Sequence, residues 1–361
     1  PNVSDEAVAA LWAPTAGIVN PFQFTIALAE NANINGVDFL FNEKVVGLSR
    51  HEGGGWRIRT DKRDIRARVV VNAAGVHADE IHNLVATNDD QLVITPRRGQ
   101  YYVLDTSVDG YVQHTVFSLP TKLGKGVLVT PTTAGNILVG PTAEDIDDKE
   151  GVDTTFEGTD EVRRKCAITM KDVPLSYSIR TFSGLRAHQP GHDFIIGEVA
   201  GAPGFVDCAA IESPGLSAAP AIGLMVADIV RGLLVFPERK AYWQATRARI
   251  PDVEHLSAEE LARLIEKRPD YGRVVCRCRH VTEGQIVDAI RAPLGARSLD
   301  AVKRRTEAGM GRCQSGFCSP KVMEIIAREI DGLQMEDVTK MGPGSELCFG
   351  RTRPAHEEDG R

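Results

Sequence analysis

No run of lysine and arginine in this 361-residue chain forms a tract that reads as a nucleic-acid face, and the formal net charge is −7. No stretch of about 20 apolar residues runs free of charge, as a membrane span requires. The most apolar segment, Gly215–Phe236, is interrupted by Asp228 and Arg231 and reads as a buried helix. No signal peptide is visible, although a chain that opens on Pro1 says little on that point. Internal repeats are missing too. What is present is ordinary globular composition, 42% hydrophobic and 25% charged, over a length that allows two or three cores.

Cysteine is scarce and unevenly placed. There are seven; Cys166, Cys208 and Cys348 are scattered, while Cys276, Cys278, Cys313 and Cys318 share one short window. Uniform placement would put fewer than one there. The clustering fits a metal centre in a reducing compartment. The spacing is C-x-C, then 34 residues, then C-x4-C. Four thiolates can hold two ferric ions bridged by two sulfides, two cysteines per iron. A zinc site, a disulfide and four buried free thiols are the alternatives; zinc more often takes C-x2–4-C pairs. Each pair precedes a helix-start signal. Thr282-x-x-Gln285 reads as a capping box, and Ser319-Pro320 as a cap followed by proline at the first helical position. Helix N-termini favour an anionic thiolate–iron centre. Arg277, Arg279 and Arg312 add positive charge.

Along the chain, apolar spacing predicts a helix over 22–35 with Phe22, Ile26 and Ala29 on one stripe, ended by Gly36. Short strands are expected at Val37–Phe41, Val45–Leu48 and Trp56–Thr60. The segment Ile65–Asn72 ends in Val69-Val70-Val71 and reads as an interior parallel strand. Between 91 and 185, strands at Leu92–Thr95, Gln100–Leu104, Val127–Thr130 and Ile137–Gly140, with a helix near 158–172, read as a mixed or antiparallel sheet on the substrate side. Strands follow at Phe194–Gly197 and Phe205–Cys208, then a helix from about Gly215. Residues 237–270 read as charged linker helices, 271–332 as a small unit of short helices, and 350–361 as a polar, disordered tail.

Two segments carry further chemistry. The strand Val69–Val71 runs into Asn72-Ala73-Ala74-Gly75, whose small residues let a backbone approach a ligand closely. Ser213-Pro214-Gly215-Leu216-Ser217 looks like a helix start, and a helix N-terminus can stabilise the negative charge of a reduced flavin ring.

These two segments resemble the D-amino-acid oxidase superfamily of FAD enzymes. The branch most similar is that of the glycerol-3-phosphate dehydrogenases, including the anaerobic type with a C-terminal ferredoxin-like domain; L-2-hydroxyglutarate oxidases are also similar. Gly17-Ile18-Val19-Asn20-Pro21-Phe22, Arg98-Gly99-Gln100-Tyr101, Leu138–Glu144 and Ser183-Gly184-Leu185-Arg186 fall in the family order. The cysteine segment resembles the bacterioferritin-associated ferredoxin domain, a helical [2Fe–2S] unit, through Val275–Cys278, Val281–Gly284, Arg304–Thr306, Ala308–Gln314 and Gly316–Cys318. Its C-x4-C pair departs from the usual C-x2-C and is similar to the version fused to flavin dehydrogenases.

The resemblance implies an α/β and α+β protein: an incomplete FAD-binding Rossmann-like fold, a mixed β-sheet substrate domain, and a small all-α [2Fe–2S] domain. The implied layout is FAD-binding portions at 1–80 and 186–236, the substrate-side sheet at 81–185, linker helices at 237–270, the cluster domain at 271–335 and a tail at 336–361. It implies FAD and [2Fe–2S] as cofactors, and a flavin site at Val46, Asn72, Ala73, Ala74, Gly75, Gly184, Gly215, Leu216 and Ser217. The implied reaction oxidises a secondary alcohol, with hydride passing to the flavin and a base taking the hydroxyl proton. Arg186 is the candidate for gripping an anionic substrate, Tyr101 for lining the pocket and His188 for the base; His77 reads as packing. The G-x-G-x-x-G that opens these enzymes is not found, so the chain is expected to start about 100 residues into the natural protein.

Expected partners are a small anionic substrate and an electron-accepting subunit or quinone-linked chain, with no nucleic acid and no transmembrane segment. The expected location is the cytoplasm, with attachment to the inner membrane face through a partner. L-2-hydroxyglutarate or amino-acid oxidation stays open, as does a non-catalytic iron–sulfur electron-transfer protein.

Overall fold

The computed structural model describes residues 2–119, 126–234, 238 and 240–349. Its contacts divide the chain into two compact units: Pro1–Ile18 with Phe39–Ala241, and Val19–Asp38 with Tyr242–Arg361.

Among the described residues, three sheets build the first unit. The smallest is antiparallel, of Val45–Arg50, Trp56–Thr60 and Asp64–Ala67 in that order. Its first turn needs glycine: Gly55 has φ +79°, and a Cβ there would meet the Ala67 carbonyl oxygen at 2.5 Å. The second sheet has six strands. Its path runs Ser178–His188, Thr95–Leu104, Ile137–Gly140, Leu128–Pro131, Val116–Phe117, and Glu144–Asp145 pairs with Thr95–Leu104 off that path. The helix Phe156–Thr169 packs on this sheet, capped by the Thr155 hydroxyl accepting from Gly158 N–H. Leu104, Val129, Ile137, Val139, Val162, Cys166 and Met170 form the core between them. Each large aliphatic buried there contributes about 1.5–3 kcal/mol.

The third sheet positions the site. Its order is Ile195–Glu198, Phe205–Ala209, Val70–Asn72, and the last two strands run parallel with Val70 opposite Phe205. The loops 73–75 and 210–215 therefore leave the same end of a parallel pair, where ligands of open α/β sheets bind. The helix Gly215–Leu233 follows the second loop.

In the second unit, short helices surround one core. Glu283–Arg291, Leu299–Thr306 and Ser319–Glu329 contribute Ile286, Ile290, Val302, Val322, Ile325 and Ile326. The expected capping box is present: the Thr282 hydroxyl accepts from Gln285 N–H while the Gln285 side chain accepts from Thr282 N–H. The helix Pro21–Ile34 belongs to this unit, capped by Asn20 Oδ1 accepting from Phe22 and Gln23 N–H.

Several expectations change. Residues 37–41 form no strand. Ile65–Asn72 divides into Asp64–Ala67 and Val70–Asn72, which join different sheets, and the parallel strand lies at an edge of the described sheet rather than inside it. The strand expected at 92–95 begins at Thr95, because Asn83 takes up the backbone of Leu92 through both amide atoms. Among the described residues of 237–270 there is one α-helix, Ala258–Lys267. The helix 21–34 groups by its contacts with the second unit, where its buried Glu30 is paired with Arg247 and Arg305. The cluster unit is not wholly helical: Val274–Cys276 and Val281–Thr282 pair as a ribbon. Within the expected tail, residues 336–349 fold back, with Val338 buried and Thr339 bridging Glu346. The expected tail residues 350–361 and helix residues 235–236 lie outside the described ones. The helix Gly215–Leu233 is not buried as expected: Gly215 alone is, and the helix contacts chiefly Ile195–Glu198 and Phe205–Ala209. It is long and apolar enough to cross a membrane by length and composition.

Candidate functional site

Each cysteine pair is set by a tight local structure. Cys276 ends the strand Val274–Cys276, and Cys278 follows in the turn to His280. Cys313 opens a turn in which Gln314 (φ +46°) and Ser315 (φ +73°) are left-handed, and Cys318 stands immediately before Ser319–Glu329. Proline is in that helix's first turn as expected, but Ser319 is not the cap: its hydroxyl donates back to the Ser315 carbonyl. A Cβ at Gly311 would meet Cys278 Cβ at 2.3 Å, so glycine lets the two cysteine loops close on each other.

All seven cysteines are free, which removes the disulfide alternative. The thiols of Cys276 and Cys318 are hydrogen-bonded to each other, as are those of Cys278 and Cys313. The bond to Cys318 brings the Cys276 thiol down to about 6, and the same bond pushes Cys318 up. The Cys276–Cys318 pair thus has one sulfur ready to act as a thiolate ligand. Four sulfurs on one zinc at about 2.3 Å would all lie within about 3.8 Å of one another. Among the described residues, no three of these sulfurs come within 4.8 Å of one another. Two separate pairs fit two irons better than one zinc. Arg277 and Arg312 are exposed beside the cysteines, whereas Arg279 is ion-paired with Glu307 and adds less charge than expected.

On the flavin side, Ser178–His188 and Thr95–Leu104 pair in register, with Phe182 opposite Tyr101, Gly184 opposite Gly99 and Arg186 opposite Arg97. Alternation puts these residues and His188 on one face. Tyr101 and Phe182 stack at 4.9 Å, nearly parallel. Between the stacked rings and Arg186 the face is bare: nothing lies within 4 Å of a Cβ placed at Gly184. Arg186 lies over Gly99, where any Cβ would strike its guanidinium at 2.4 Å, and it donates to the Thr142 carbonyl at 2.7 Å. Burial lowers its pKa. Among the described residues no carboxylate is within 4.0 Å of it. Burial raises the Tyr101 pKa, with Arg186 opposing. His188 is buried, its Nδ1 3.2 Å from Glu212 Oε2.

The turn Gly75–His77 packs against the strand Ser178–His188, with Val76 against the cluster that includes Ala187. Gly75 has φ +60° and open space at its Cβ position. Leu216 and Ser217 are exposed in the first turn of their helix; Gly215 is buried against Ile211. One expected residue is held by hydrogen bonds of its own. Asn72 is buried, donating to the Ala78 carbonyl and to Asp207 Oδ1, which makes it a strut. Val46 sits exposed at a bulge in the small antiparallel sheet. His77 faces the carboxylates of Glu80 and Glu150 through its two ring nitrogens rather than being packed. Sequence reasoning gave no role to Phe182, His192 or Glu212. The H-x3-H spacing of His188 and His192 was the available signal for the last two.

A guanidinium, a stacked aromatic pair and open ground at Gly184 are groups that an anion and a planar ring can use, and the chain belongs to the FAD-dependent oxidoreductases, whose family profile matches residues 1–229. The profile of the BFD-like [2Fe–2S] binding domain matches residues 274–328. A glycerol 3-phosphate dehydrogenase of Caloramator mitchellensis is 48% identical over 98% of this chain and 73% of its own. A glycerol 3-phosphate oxidase of Mycoplasma pneumoniae is 33% identical over 67% of this chain and 63% of its own. A structure of dithionite-reduced L-α-glycerophosphate oxidase from Mycoplasma pneumoniae with FAD bound superposes with a TM-score of 0.55, covering 61% of this chain and 57% of that one at 30% identity. FAD and a [2Fe–2S] cluster are accordingly the cofactors. Ala73–Gly75, Gly184 and Gly215–Ser217 fit the first, and the four cysteines fit the second.

Proposed function

We propose that this protein oxidises a small anionic secondary alcohol, glycerol 3-phosphate first among candidates, and passes the electrons through the [2Fe–2S] cluster to a partner subunit linked to a quinone pool. The observation that carries the reading is Arg186. A half-buried guanidinium with no carboxylate partner among the described residues, beside open space, is built to receive an anion in bidentate fashion. The names of the dehydrogenase and oxidase relatives support a phosphorylated alcohol as that anion.

When bound, FAD accepts two electrons from the alcohol and the cluster relays them singly. The protein's own part is orientation and proton transfer. Arg186 fixes the anionic end of the substrate, and the Tyr101–Phe182 stack walls the pocket and excludes water. The Glu212 carboxylate accepts from His188 Nδ1–H, which leaves Nε2 as the basic nitrogen for the hydroxyl proton. In keeping with a relay, we assign the protein to the cytoplasm, held at the inner membrane face through its electron-accepting partner.

The test is anaerobic. Glycerol 3-phosphate, L-2-hydroxyglutarate and proline are mixed in turn with the cofactor-loaded protein while flavin absorbance is followed. Rapid bleaching by glycerol 3-phosphate alone is expected. Bleaching by 2-hydroxyglutarate or proline instead would replace the substrate assignment.

A further inference from the structure

We propose that His188, His192 and Glu212 form a binding site for a divalent transition metal of the zinc class. The three donor atoms lie within 4.8 Å of one another. Glu212 stands between the imidazoles, 3.2 Å from His188 Nδ1 through Oε2 and 3.6 Å from His192 Nδ1 through Oε1. Ligands at about 2.0–2.2 Å from one tetrahedral zinc stand about 3.4 Å apart, so the donors need only small shifts. Two imidazoles and one carboxylate are a zinc set with a position left open.

The local structure holds the second histidine in place. His192 has φ +56°, a left-handed conformation that side-chain-bearing residues adopt at a cost. The turn that fixes it is closed by His192 N–H donating to the Gln189 carbonyl at 3.1 Å. The Gln189 side chain spans it from within, accepting from Gly191 N–H at 2.7 Å and donating to the Asp193 carbonyl at 3.0 Å. Orienting His188 needs only Glu212. It does not account for an exposed His192 brought to the same carboxylate, its ring 4.7 Å from that of His188.

Electrostatics narrows the choice of metal. Arg97 and Arg186 both act on Glu212, and Asp145 is ion-paired with Arg97, so the surroundings are not strongly anionic. Mg²⁺ and Ca²⁺, which need several oxygen donors, find one carboxylate here; zinc and nickel gain from the imidazoles. Occupancy has a chemical consequence that rests on the reading of His188 as base. A metal on Nδ1 leaves the ring proton on Nε2, and the nitrogen that would take the hydroxyl proton is no longer basic.

The experiment uses the full chain with its cluster loaded. Zinc is added by equilibrium dialysis and both metals are counted, so that zinc at the cysteines would show as lost iron. One zinc in addition to two irons is expected for the parent protein, with no uptake of Mg²⁺ under the same conditions. His192→Asn, an exposed change, should weaken zinc binding at least tenfold, and Glu212→Gln should do the same. Absence of extra zinc, or unchanged affinity in His192→Asn, would overturn the site. Zinc binding at this trio without slower flavin bleaching would keep the site and remove His188 as the base.

Discussion

In the cluster unit all four proposed ligands fall between Cys276 and Cys318, and the glycines and helix starts that shape them are their neighbours in sequence. The proposed flavin-side site instead takes Tyr101 from one strand, Arg186 and His188 from another, Ala73–Gly75 from a loop after a third, and Gly215–Ser217 from a helix. The first kind of site is written in one short segment and depends on covalent donors. The second depends on long-range register and on buried polar struts.

The sharpest break of that contrast is in the cluster. Cys313→Ser should abolish cluster assembly, read as loss of iron and acid-labile sulfide, while Cys166→Ser should keep both because Cys166 lies in the other unit's core. Iron retained in Cys313→Ser would point to another fourth ligand.

Next in size is Asp207→Ala. Asp207 is buried, accepting from Asn72 Nδ2 at 2.8 Å and facing His82 Nδ1 at 2.6 Å, and so ties three segments of the flavin-side unit together. Its loss should cost about 3–5 kcal/mol in denaturant unfolding, with cluster absorbance unchanged. The same strut carries a pH signature. Burial works to lower the His82 pKa, but the Asp90 carbonyl and Asp207 carry it above the ordinary value. Its stabilisation should be complete below about pH 6.5 and be lost as pH rises through the folded value. A denaturation midpoint that climbs through this range because of His82, absent in His82→Gln, would contradict that sign.

Arg186→Ala should lower kcat/KM by about 1.5–3 kcal/mol, or 10–150-fold, mostly through KM, with FAD content near normal. Equal kinetics would remove Arg186 from the substrate. Smallest of all, Thr282→Ala should remove a cap worth about 1 kcal/mol from the cluster unit without changing its iron content.

This difference also explains what was legible beforehand. The cysteine spacing and the Thr282 capping box are local, so both could be read directly. The loops at Ala73–Gly75 and Gly215–Ser217 were picked out by family order, and what the fold adds is that the parallel strands place them at one sheet end. The tie of Asn72 could not be read because its partner Asp207 is 135 residues away, and only the fold reveals the pairing. Glu212 went without a role for the same reason: its histidines reach it across a turn and a strand end. The helix 21–34 shows periodicity failing to name a partner, since the residue it buries is charged Glu30.

That helix has a consequence for anyone who would cut the protein apart. On paper the cluster domain is a C-terminal appendix, removable by one incision near residue 242. In the folded chain the backbone changes unit three times, and a segment from near the beginning completes the unit at the end. An appendix released by one incision would leave behind Glu30, which lies 3.1 Å from Arg247. It would also leave the Gln23 amide, which donates to the Arg305 carbonyl. The fragment would keep its four cysteines and lose part of its wall. The ferredoxin-like portion is thus less a bead on a string than a lock whose bolt is supplied by the other end of the chain.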